Sequence, residues 1–261
     1  MINRERAIRF VQQNGSDVEL ARLRYLLHGE RPSANIVQQL FGGQQEDGGF
    51  APFWAQGYSS IDATCYRLAQ AEQLGLDTNT SEIVDALRFL LWRQAADGRF
   101  TEHISVADSA PPWAAPGDLA AELYLTANAG FWLAFWHFTS AAEEAGRFLA
   151  RHLDEAHHQL PSFTQAQWLA CGLAWKLGQD ELVDHLASHL YAQLPGSAGE
   201  LTWMLVTLNS IGFPADRGVI LAGAVRLARM QAEDGRFPND EGQDVHTTLE
   251  ALRALGPTNA E

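Results

Sequence analysis

At 261 residues the chain is long enough to bury one sizeable core, as one large domain or two small ones. Its 46% hydrophobic and 19% charged residues make it too apolar for disorder. A net charge of −14 argues against nucleic acid as a partner, and a single lysine, Lys176, leaves no polybasic anchor for an anionic membrane.

The segment from Met1 to Arg6 leads straight into an amphipathic helix and has no secretory apolar block. Cys65 and Cys171 are too few for a disulfide framework, which points to a reducing cytoplasm. The helical period dominates the chain: Ala7, Phe10 and Val11 share one face, and Val84, Leu87, Leu90 and Leu91 repeat the spacing. Start and stop signals predict twelve helices, near 2–14, 17–28, 33–45, 59–75, 80–95, 117–137, 140–156, 163–177, 179–193, 198–212, 216–232 and 243–255. Gly75, Gly178 and Gly212 follow apolar helix ends and suit left-handed C-caps. Thr80 or Ser81 and Asp180 suit N-caps. The apolar run from Leu123 to Phe138 is broken by Thr126, Asn128 and His137, is shorter than the ~20 residues of a membrane span, and reads as a buried helix. The one long loop, 97–116, carries Pro111, Pro112 and Pro116, and loops of this length are often functional.

A repeat punctuates this pattern. Gln44 to Phe50, Gln94 to Phe100 and Gln231 to Phe237 share the form Q-x-x-D-G-x-F. Each copy closes one helix and precedes the next. Glycine supplies a positive φ, aspartate bonds nearby backbone N–H groups, and phenylalanine returns to the core. The middle segments His157 to Phe163 and Ala192 to Gly196 keep the layout without the Asp-Gly pair. Repeats of this size bury their faces by stacking.

With Ser59 to Thr64 after the first copy and Asp244 to Leu249 after the last, the pattern resembles the prenyltransferase and squalene-cyclase repeat proteins. The resemblance covers most of the chain, strongly at three places. It implies an all-α, single-domain α/α toroid over residues 1–261, with six inner helices ringed by six outer ones. The helix after each repeat loop is then an inner one: 17–28, 59–75, 117–137, 163–177, 198–212 and 243–255. Their N-termini gather at one rim, where a diphosphate or carboxylate suits the unpaired N–H groups. Side chains expected near that rim are Asp17, Glu19, Asp62, Cys65, Asp118, Glu122, Gln165, Gln167, Glu200, Asp244, His246 and Glu250. An acid in a helix's first turn also complements its dipole with no further role. Below the rim, Tyr66, Tyr124, Phe131, Trp132, Phe135, Trp136, Trp168, Trp175 and Trp203 are candidates to line an apolar cavity. Aromatic faces stabilise carbocations in the cyclases, although such residues also fill cores for their area alone.

The same resemblance implies three kinds of chemistry. Asp62, Cys65 and His246 look like the zinc ligands of protein prenyltransferase β subunits, with Asp62 and Cys65 three apart on one helix. Their spacing departs from the family's, in which the Asp and Cys lie two apart. Class II cyclases protonate an alkene with a D-x-D-D acid. That motif is absent here, and the nearest acidic clusters are Asp240-Glu241 with Asp244, and Asp118 with Glu122. Asp62 or Asp118 is then the expected acid, with Glu122 as a like-charged neighbour and His246 as base or ligand. The D-D-x-x-D motif that binds magnesium with a diphosphate is also absent. The expected function is an isoprenoid-handling enzyme, a small terpenoid cyclase or prenyltransferase-like protein of bacterial secondary metabolism. Its partner is a hydrophobic small molecule, bound by Tyr66, Tyr124, Trp132, Trp136, Trp168 and Trp203, with neither nucleic acid nor an integral membrane segment. Two alternatives stand beside it. One is a non-catalytic hydrophobic-ligand carrier or interaction module. The other is a carbohydrate-active toroid drawing on Tyr58, Tyr124, His103 and Glu122. The His157-His158 pair falls at a predicted outer-helix end and reads as a solvated cap.

Overall fold

The computed structural model describes residues 2–240 and 242–256. Among the described residues there are twelve α-helices and no strand, only three isolated β-bridges. In chain order the helices are α1 (Arg4–Asn14), α2 (Asp17–His28), α3 (Ala34–Phe41), α4 (Ile61–Glu72), α5 (Ser81–Arg93), α6 (Leu119–Phe135), α7 (Thr139–Ala150), α8 (Thr164–Leu177), α9 (Asp180–Ala192), α10 (Ala198–Ser210), α11 (Gly218–Ala228) and α12 (Asp244–Ala254). Every helix expected from the period is present. Three stop four or more residues early, the one expected to reach 232 ending at Ala228, and two of them do so for a visible reason. The helix expected to reach residue 45 ends at Phe41, because Gly42-Gly43 break it and Gln44 bridges to Phe50. The helix expected to reach 156 ends at Ala150, and Asp154 bridges to Gln159 instead. Gly75, Gly178 and Gly212 all take positive φ, as expected of helix stops. Thr80 sits at the N-cap of α5 without a side-chain bond, and Asp180 is the first residue inside α9 rather than its cap. Glu241, half of the Asp240-Glu241 pair, lies outside the described residues.

The chain divides into two compact units. One holds Leu40–Glu72 and Leu76–His189; the other holds the N-terminal stretch to Gln39, Gln73–Gly75, and the chain from Leu190 onward. In the first unit α4, α6 and α8 pack side by side, with α5 against α4 and α6, and α7 against α6 and α8. α6 is the axis of this layering. It is apolar all round, and every residue from Ala121 to Ala134 is buried, which is what a helix covered on all faces requires. Gly130 makes the coverage close: a Cβ there would lie 2.8 Å from both Ala145 on α7 and Leu173 on α8. In the second unit the same alternation recurs. There α12 packs against α10 and α2, α11 lies against α10, and α1 lies against α2 and α12. Its core joins Ala7, Val11, Leu23, Leu249 and Leu252.

The repeat loops are clamps, and each residue of the motif has a bond to make. Gln44 Nε2 donates to its own loop at the Gly48 carbonyl and to the Glu82 carbonyl at the start of α5, both at 2.8 Å. Gln94 does the same toward Gly98 (3.2 Å) and Ala141 on α7 (2.8 Å). Gln231 does so toward Gly235 (2.9 Å) and Asn3 (3.0 Å). Asp47, Asp97 and Asp234 each accept the backbone N–H two residues on. The glycines have φ of 87, 92 and 97 degrees. Each also presses on the backbone of a neighbouring helix, so both the positive φ and the missing Cβ are used. The closing phenylalanines are buried, and their N–H groups bond threonine hydroxyls: Phe50 to Thr64 (3.1 Å), Phe100 to Thr126 (2.8 Å) and Phe237 to Thr248 (2.9 Å). In the degenerate middle copy, the Gln167 side chain takes the threonine's place and bonds both N–H and C=O of Leu160.

Candidate functional site

These threonine anchors put α4, α6 and α12 in one register. Two residues before the threonine stand Asp62, Tyr124 and His246. Two residues after it stand Tyr66, Asn128 and Glu250. Such i, i+4 pairs share a helix face, so each repeat presents one such pair beside its anchor.

In the first unit the register brings α4 and α6 together at Asp62. Tyr124 donates to Asp62 Oδ1 at 2.6 Å, Asn128 Nδ2 donates to the same oxygen at 3.3 Å, and the Trp113 side chain donates to the carboxylate as well. Asn128 also reaches the Tyr124 hydroxyl at 3.4 Å. Burial pushes the Asp62 carboxyl up, and the bonds from Tyr124, Trp113 and Asn128 only partly offset it. Tyr124 is pushed well above the usual phenol range, by burial first and then by Asp62, so it remains a donor. Tyr124 and Asn128 both donate to Oδ1. A carboxyl raised by burial and held by side-chain donors is suited to acid–base work.

A second buried carboxyl fixes the start of α4. Glu102 Oε1 accepts from Ser60 Oγ and from the Ile61 N–H, both at 2.9 Å. Its Oε2 accepts from Tyr58 (2.8 Å) and from Arg93 Nη2 (3.2 Å). Tyr58 is pushed up to about 12 by burial and then by Glu102. This clamp from the 97–116 loop holds the N-terminal turn on which Asp62 sits.

In the second unit the register places His246 and Glu250 against Arg22 and Gln73. Arg22 is 1% exposed, and its Nε and Nη2 both donate to Gln73 Oε1. Its Nη1 meets His246 Nδ1 at 3.1 Å. His246 Nε2 lies 3.3 Å from Glu250 Oε1. Gln73 Nε2 donates to Glu250 Oε1 at 3.1 Å. Burial alone would raise Glu250, but His246, Arg22 and Gln73 hold it down at about 2. Beside this cluster lies a pocket of about 240 Å³, lined by Arg22, Tyr25, Leu26, Gly29, Gln73, Leu249 and Arg253.

The other expected site residues fall as follows. Asp118 is exposed and caps α6, its Oδ1 accepting the Ala121 N–H at 3.0 Å. Glu122 is buried and faces Arg99 at 3.5 Å. Glu19 and Glu200 belong to capping interactions with Ser16 and Ser197. Trp132 and Trp136 form an edge-to-face chain with Phe131 and Phe135, centroids 5.0–5.6 Å apart. Trp168 has no exposed surface, Trp203 on α10 keeps some, and Tyr66 is 46% exposed. His103 is exposed and bonds Ser105. Among the described residues no group of three or more His, Cys, Asp and Glu side chains is arranged to hold a metal ion. Burial, then Asp62 and Glu102, push the Cys65 thiol up. Cys65 and Cys171 are buried and not joined in a disulfide. Among the described residues no helix is long and apolar enough to cross a membrane.

Sequence reasoning passed over Asn128, Trp113, Glu102 and Arg22. Asn128 had a signal, as a polar residue inside an apolar helix. Trp113 and Glu102 lie in the long loop marked as functional. No known family model matches the sequence, and no curated protein matches it.

Proposed function

We propose that the chain is an isoprenoid-handling enzyme with an α/α-toroid fold, acting in the cytoplasm by acid-assisted chemistry on a polyprenyl substrate, with Asp62 as the proton donor. The observation that carries the reading is the Asp62 carboxyl, raised by burial and aimed by Tyr124, Asn128 and Trp113. The toroid reading rests on the alternating two-layer packing inside each unit and on the last repeat loop clamping Asn3 at the chain's start. In such a ring the register positions of Asp62, Tyr124 and His246 face the centre. The chemical step moves the carboxyl proton of Asp62 to a terminal alkene carbon. A tertiary carbocation forms, aromatic faces stabilise it, and Asp62 is left as a carboxylate until a later deprotonation restores it.

The test is incubation with farnesyl and geranylgeranyl diphosphate and with squalene, followed by product analysis, for the wild type and for Asp62→Asn. The variant keeps the hydrogen bonds at Oδ1 but has no acidic proton. Loss of cyclised product with an unchanged Tm supports the reading; full turnover by the variant defeats it. Stoichiometric binding of these compounds with no conversion would favour the carrier reading, for which the missing D-x-D-D motif and the capping role of Asp118 speak.

A further inference from the structure

We propose that His158 and His185 form the protein half of a surface site for a divalent transition-metal ion of the zinc, nickel and copper class. His158 lies in the turn closed by the Asp154–Gln159 bridge, and its backbone is left-handed at φ 56. His185 projects from α9. Their Nδ1 atoms face each other at 2.5 Å, and the ring centroids are only 4.7 Å apart. The rings therefore meet nitrogen to nitrogen at their edges, and a proton or a cation must sit between the two lone pairs.

The surroundings fix this pair without competing for the ion. His157 Nδ1 is taken by Asp154 Oδ2 at 2.7 Å. His189, one turn beyond His185, is buried; its ring donates to the His157 carbonyl, and burial lowers its affinity for a proton, so it stays neutral. The turn is thus tied to α9 beside the pair, while His158 itself stays exposed. Metal–nitrogen bonds of about 2.0–2.1 Å need the two nitrogens further apart than they stand. Rotation about the side-chain torsions of the exposed His158 supplies that opening. Among the described residues no third His, Cys, Asp or Glu completes a metal-holding group, so water or an external ligand fills the remaining positions. Imidazole suits zinc, nickel and copper, and histidine-rich short tracts are a recognised metal-binding composition.

The experiment is calorimetric titration of untagged full-length protein with Cu²⁺, Zn²⁺ and Mg²⁺ at pH 7.5, repeated on His158→Ala, His185→Ala and His157→Ala. One equivalent of Cu²⁺ should bind, more tightly than Zn²⁺, with Mg²⁺ silent. Removing partners outside a metal's own ligands already costs about 10- to 100-fold, so each of the first two variants should weaken binding at least tenfold. His157→Ala should stay within about twofold of wild type. Absence of Cu²⁺ and Zn²⁺ binding below millimolar concentration identifies a hydrogen-bonded pair and overturns the proposal. Unchanged affinity in His158→Ala and His185→Ala overturns it equally. Neither result bears on Asp62, whose readout is prenyl turnover.

Discussion

Replacing Gly98 by alanine separates two costs that a repeat glycine avoids. Gly98 has φ 92, and a Cβ there would lie 2.2 Å from the Glu144 carbonyl oxygen. A left-handed backbone costs a residue with a side chain about 1–2 kcal/mol. Forcing a group into a filled space costs about 1–3 kcal/mol more, and here the obstacle is backbone, which yields least. Gly98→Ala should therefore lose roughly 2–5 kcal/mol. Gly178, in the same unit, provides the reference. Its φ is 69, and nothing lies within 4 Å of an added Cβ. Gly178→Ala should lose only the first cost, roughly 1–2 kcal/mol. Urea unfolding at neutral pH, read by circular dichroism, gives both values from the midpoint shift at constant slope. Equal destabilisation of the two variants would refute the claim that close approach, and not φ alone, demands glycine in the repeat.

Thr126→Val removes the hydroxyl that accepts the buried Phe100 N–H and should cost about 1–3 kcal/mol in the same assay, while Thr126→Ser should restore most of it. Glu250 is held at about 2 against an ordinary 4.5, so its ionised form adds stability that is complete above pH 4.5 and is lost as pH falls through about 2. The contribution is at most about 3 kcal/mol. Glu250→Gln should lower stability at pH 7 and flatten its fall between about pH 5 and 2; an acid limb identical to wild type would remove Glu250 as its cause.

The helices were legible because their apolar faces repeat locally and because glycine and proline stand between them. The repeat was legible as a string, and the structure supplies its reason in the paired bonds of Gln44, Gln94 and Gln231. Asp62 stood out because it follows the first repeat loop. Its setting did not, since Tyr124 and Asn128 lie 62 and 66 residues away and only packing of α4 on α6 joins them. The Arg22 cluster was hidden for the same reason, its partners coming from Gln73 and from Glu250, itself 177 residues beyond Gln73. Asp118 caps α6, a role an aspartate just before an apolar helix takes by residue type alone.

The tie between Gln231 and Asn3 has a bearing on how the chain matures during synthesis. The first two helices leave the ribosome without α12, which covers them, and wait for more than 200 residues before it appears. The stretches Leu40–Glu72 and Leu76–His189, which cluster as one unit, are complete before α12 is made. Premature termination near residue 230 would thus leave α1 and α2 without the helix that covers them, a natural target for chaperones and proteases.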